Sequence, residues 1–90
     1  MIKKPLNSAD PMIVALGALA VALRDDRRAQ RLLELTGLTG DELRARAAEP
    51  AMLAAVLSFL EAHEPDLVAV AEEMQLSPQE LVAARSALDA

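Results

Sequence analysis

The sequence predicts an all-α fold, a compact bundle of five or six short helices with an apolar first helix at its centre. Composition is the first reason. Alanine supplies 19 of the 90 positions and leucine 16, whereas Phe59 is the only aromatic residue and there are three glycines. Ala and Leu lead the helix-propensity scale, and the β-branched and aromatic residues that favour strands are scarce. The second reason is punctuation, because capping residues and first-turn prolines recur ahead of apolar runs with helical spacing. Ninety residues suit a single domain, expected over residues 8–90 behind a flexible tail at 1–7.

The tail, MIKKPLN, has no periodicity and contains Pro5. Ser8 or Asp10 can cap the first helix, Pro11 suits its first turn, and the run MIVALGALAVAL continues to Leu23. Met12, Leu16, Leu19 and Leu23 are expected to form its buried stripe, at helical spacing. Twelve apolar residues are too few to span a bilayer, which takes about 20. They match a signal-peptide core in length, and Lys3 and Lys4 precede them. Asp10 and Pro11 nonetheless separate the lysines from the run, and its small residues fall inside it rather than after it. The run therefore reads as part of the fold.

Asp25 or Asp26 can cap a second helix whose buried side is expected at Leu32, Leu33 and Leu35, with Gly37 ending it in the left-handed conformation. Thr39 and Glu42 have capping-box spacing and start a short third helix to about Ala48. From Pro50 to about Ala62 a fourth helix puts Leu53, Val56, Leu57 and Leu60 on one face, with Phe59 beside them. Pro65 disfavours helix at Glu64, so Pro65 and Asp66 are expected to open the fifth helix, carrying Leu67, Val70, Ala71 and Met74. Ser77, Pro78 and Glu80 then announce a last helix through Leu88.

A shift of 38 residues aligns LTGDELRA at 38–45 with LSPQELVA at 76–83, four of eight positions being identical. Duplication of a helix–turn–helix unit would produce this, and so would two independent capping boxes followed by leucine. The stretch that includes Leu-Thr-Gly-Leu at 35–38, Glu-Leu-Arg at 42–44, the Pro50 helix with LAAVLSFL, the turn at Glu64 and the final capped helix resembles a family of small all-helical proteobacterial proteins of unknown function. The resemblance implies a compact helical fold in a bacterial protein. It implies no activity, cofactor or site.

Charge narrows the function further. The net charge is −5, which opposes general affinity for nucleic acid or anionic membranes. Residues 1–48 carry eight Lys or Arg against six acids, a net +2, while residues 49–90 carry Arg85 against eight acids, a net −7. Arg24, Arg27, Arg28, Arg31, Arg44 and Arg46 form a cluster that is the candidate interaction surface for an acidic partner or a second copy. The acids interleaved with them would also permit ion pairs within the chain. A helix-turn-helix reader of nucleic acid is the alternative, because Val70, Ala71, Met74, Leu76, Leu81 and Ala84 fall where such a motif is apolar or small. Its second helix offers only Gln79, Arg85 and Ser86 to bases and phosphates, among Glu72, Glu73, Glu80 and Asp89.

No cofactor, metal site or catalytic residue is expected. The chain has no cysteine, so thiolate chemistry, cysteine zinc sites and disulfides are excluded, and the cytoplasm is the default location. His63 is the sole histidine, and Pro65 breaks the helix where a second helical ligand would stand. The glycines are too scattered for a phosphate loop. The expected role is a small intracellular interaction module that binds a protein partner or itself through apolar helix faces.

Overall fold

The computed structural model describes residues 10–89; the tail assigned to residues 1–7 and the alternative cap Ser8 lie outside the described residues. Six helices follow in order: α1 (Pro11–Ala22), α2 (Asp26–Thr36), α3 (Gly40–Ala45), α4 (Pro50–Glu61), α5 (Glu64–Met74) and α6 (Pro78–Asp89). No strand occurs among the described residues. The fold is all-α, as composition and capping predicted.

Local signals set the helix ends. Asp10 caps α1 by accepting from the amides of Met12 (2.9 Å) and Ile13 (3.4 Å), and Asp25 caps α2 through Arg28 N at 3.0 Å. Gly37 closes α2 at φ +74°, a conformation that costs little without a Cβ. Thr39 and Glu42 form the reciprocal box at α3, and Ser77 and Glu80 repeat it at α6. Besides one-residue offsets at the ends of α1 and α6, two boundaries differ from expectation. Helix α3 stops at Ala45, short of Ala48. Helix α5 starts at Glu64, one residue before Pro65, because the His63 carbonyl accepts from the amides of Asp66 and Leu67 and the missing proline donor is not needed in a first turn.

Helices α1, α4, α5 and α6 pack on one another, whereas α2 and α3 touch this group more sparsely. The core is continuous, with Leu32 from α2 and Leu43 from α3 inserted into it. Six of its buried residues are alanine: Ala15, Ala18, Ala22, Ala54, Ala71 and Ala84. Such small side chains let helix backbones approach closely and explain how a chain with one aromatic residue fills its interior.

The inward face of α1 is not the expected one. Val14, Ala15, Ala18, Leu19, Val21 and Ala22 are buried, while Leu16 and Leu23 face solvent and Met12 is half-buried. Because α1 is apolar on every side, sequence spacing could not distinguish its faces; packing of the alanine edge against α4, α5 and α6 does so. Leu35, expected inside, is 68% exposed. The sparse contact of α2 with the bundle leaves room for Leu32 and part of Leu33 only.

The 38-residue echo extends well beyond the capping boxes. Helices α2 and α5 start at 26 and 64 and end at 36 and 74; their left-handed caps are Gly37 and Gln75, at φ +74° and +60°. The following helices start at 40 and 78, each with a buried leucine, Leu43 or Leu81, at the same register. Helices α1 and α4 correspond at a shift of 39, both twelve residues long and both opened by proline. The chain is thus built as two successive three-helix units, which differ most where α3 has six residues and α6 twelve.

Leu57 is fully buried in α4, so Leu57→Ala is expected to cost about 3 kcal/mol, while Leu35→Ala stays within about 0.5 kcal/mol; urea unfolding followed by circular dichroism at ~222 nm checks both. At Gly17 an added Cβ would meet only the terminal methyl of Met74, at 2.8 Å. That methyl can swing aside, so Gly17→Ala is expected to raise stability by up to about 1 kcal/mol through helix propensity, read as a higher Tm.

Candidate functional site

Asp66 is the one charged residue buried among the described residues, at 7% exposure. It lies in the first turn of α5, where the helix dipole favours a carboxylate. Three side chains converge on it. Arg28 Nε donates to Oδ1 at 3.1 Å, Arg31 Nη2 donates to Oδ2, and His63 Nδ1 lies 3.0 Å from Oδ2. Burial by itself would push this carboxyl up. The hydrogen bonds from Arg28 and His63 and the charges of Arg31 and Arg28 outweigh that, and hold it below the usual carboxylate range. The cluster ties α2 to the start of α5.

The six arginines are distributed as follows. Arg24 reaches Glu73 at 3.2 Å, at the surface. Arg28 and Arg31 serve Asp66. Arg44 pairs with Asp41 at 2.7 Å and Arg46 with Glu49 at 3.0 Å, both local surface pairs three residues apart. Arg27 is exposed and has no carboxylate within ion-pair distance among the described residues. Only Arg28 and Arg31 share an acid; Arg44 in α3 and Arg46, its C-cap residue, each pair with a separate neighbour. In α6, Arg85 is shared between Glu61 and Asp89 at 2.6 and 3.0 Å, so the second unit also directs its arginine to acids of the same chain.

Beside the Asp66 cluster, α2 and the end of α4 border a shallow, open groove of about 450 Å³ lined by Arg31, Glu34, Leu35, Phe59, Ala62 and His63. The Arg31 guanidinium stands 5.7 Å from the centre of the Phe59 ring, a cation–π contact. Asp66 orients the His63 ring as a carboxylate orients an imidazole base. The groove lining supplies no hydroxyl or thiol for such a base to activate.

A second feature lies on α1. Ile13, Leu16 and Leu23 are 47, 41 and 40% exposed, and Ala20 between them is exposed too. They follow one another at spacings of 3, 4 and 3, so they form a single outward stripe. No charged residue occurs within α1. Neither Asp66 nor this stripe was identified from sequence as functional. The signals were present: the 38-residue shift that aligns the two units also aligns Arg28 with Asp66, and Ile13-Leu16-Ala20-Leu23 is a second helical period beside Met12-Leu16-Leu19-Leu23.

Removal of the Asp66 charge leaves Arg28, itself nearly buried, without its counter-ion. Asp66→Asn is expected to cost about 3 kcal/mol at neutral pH. Since the folded pKa is depressed, the carboxylate contributes its stability above the unfolded value of about 3.9 and loses it as pH falls from there through the lower folded value. Urea midpoints for wild type and variant should accordingly differ at neutral pH and converge in acid.

No helix among the described residues is long and apolar enough to cross a membrane. No curated protein and no solved structure matches the chain at a significant level. Residues 8–90, which hold both three-helix units, match the family model described as protein of unknown function, DUF3572, and the chain belongs to that family.

Proposed function

We propose that the protein is a small, non-catalytic interaction module of the bacterial cytoplasm, which docks on a protein partner or on itself through an apolar helix face. The observation that carries this reading is the outward stripe of α1. A helix face meeting water ordinarily presents polar side chains, whereas Ile13, Leu16, Ala20 and Leu23 leave apolar surface open over nearly three turns. Isolated exposed leucines are ordinary on a protein surface; a continuous stripe on a helix without one charge is the pattern that interface cores display.

The arginine cluster has a smaller part in this reading than the α1 stripe. Five of its six members face carboxylates of their own chain, and those carboxylates neutralise the charge that an acidic partner or a phosphate backbone would need. Arg27 remains to orient an incoming partner.

The expected outcome of affinity capture from a bacterial lysate is a set of proteins retained by the immobilised chain, lost with Leu16→Glu and kept with Leu35→Glu, the latter lying on a different surface. Identical retention by all three would remove the α1 face from the function. Circular dichroism on both variants checks that the helices persist.

A further inference from the structure

We infer that the α1 stripe is covered by the α1 stripe of a second copy of this chain, in antiparallel register; this rests on the interaction-module reading and names the occupant. The comparison of the two units shows that the face is one that bulk normally fills. At the 39-residue shift, Ile13 and Ala20 correspond to Met52 and Phe59 of α4, both buried inside the chain. Leu16 and Leu23 correspond to Ala55 and Ala62, both exposed. Where α4 meets solvent it therefore carries alanine, and where α1 meets solvent it carries leucine.

The stripe is its own complement in one orientation only. Its spacings of 3, 4 and 3 are those of alternating seam positions in a two-helix contact. Antiparallel pairing sets Ile13 against Leu23 of the other copy and Leu16 against Ala20, twice each, so every small position receives a large side chain. Parallel pairing would set Ala20 on Ala20 and leave a gap. The interface is then isologous and closes as a dimer.

Charge favours the same orientation. No charged residue of α1 is desolvated by the contact. Antiparallel pairing brings the Asp10 end of each stripe to an end of the other copy that is neutral overall, where Arg27 is exposed, Arg24 pairs with Glu73, Asp25 caps α2 and Asp26 follows it. Parallel pairing would put Asp10 beside Asp10. The two helix dipoles also oppose one another when antiparallel. In area the contact is modest: three large side chains less than half exposed fall well below the ~800 Å² per partner of standard stable complexes. Association is therefore weak and concentration-dependent.

Sedimentation equilibrium of the full chain tests this between about 10 µM and 1 mM, the range in which so small an interface is expected to populate. The expected result is an average mass near 9.6 kDa at the low end, rising toward twice that at the high end. Leu16→Glu and, separately, Ala20→Glu should abolish the rise, and Leu35→Glu should leave it intact. Ala20→Glu places a good helix former at an exposed site, so its effect cannot be ascribed to unfolding. Orientation is read by oxidising mixtures of cysteine variants: Ile13→Cys with Leu23→Cys should give crosslinked heterodimers in excess of either homodimer.

A monomer at every concentration overturns the second-copy inference. If capture from lysate still depends on Leu16 in that case, another protein covers the stripe and the interaction-module reading stands; if it does not, both fail. Homodimeric crosslinks in excess, with the mass rising, overturn the antiparallel register.

Discussion

Asp66 and the two guanidinium groups that meet it decide where α2 lies. Four of the helices hold one another by packing, but α2 and α3 touch them sparsely, and their hydrophobic attachment rests chiefly on Leu32 and Leu43. A carboxylate taken out of water is costly unless its charge and hydrogen-bonding capacity are met. Arg28, Arg31 and His63 meet them here, from α2 on one side and the α4–α5 turn on the other. An ion cluster has a directional requirement that apolar packing lacks, so it sets the angle at which α2 docks. The position of Arg31 over Phe59, and the groove beside it, follow from that angle.

The uneven charge of the sequence acquires a structural meaning in the same place. A basic first half and an acidic second half suggest attraction between molecules, yet the long-range pairs run within the chain, from Arg24 to Glu73 and from Arg28 and Arg31 to Asp66. Folding directs the basic side of the first unit to the acidic side of the second. Arg28 and Asp66 occupy equivalent positions in their units, so at that register the two units carry opposite charges and meet. Arg44 and Arg46, at the end of α3, have only local partners, and exposed pairs of that kind contribute little to stability.

Two units of nearly the same plan do not give a symmetric molecule. Helix α6 is long enough to lie along both α1 and α4, whereas α3 ends after six residues. The equivalent face is the better covered in the second unit. Its helix α4 buries Met52 and Phe59, and the corresponding face of α1 is left with apolar side chains in water.

Most of the secondary structure was legible in the sequence, because the signals that start and stop helices act over three or four residues. Asp25, Gly37, the Thr39–Glu42 and Ser77–Glu80 boxes, Pro50 and Pro78 each act on neighbouring backbone groups and needed no tertiary information. The core face of α4 was legible too, since its leucines and valine share one side. Tertiary structure alone decided which side of α1 turns inward. A helix apolar all round carries no preference of its own, and only the shape of the partners selects the alanine edge. It also decided that Leu35 stays outside and that Asp66 goes inside, because the burial of one carboxylate depends on two arginines more than thirty residues away in sequence. Local chemistry fixes where helices begin and end; the meeting of distant side chains fixes which of their faces are left at the surface.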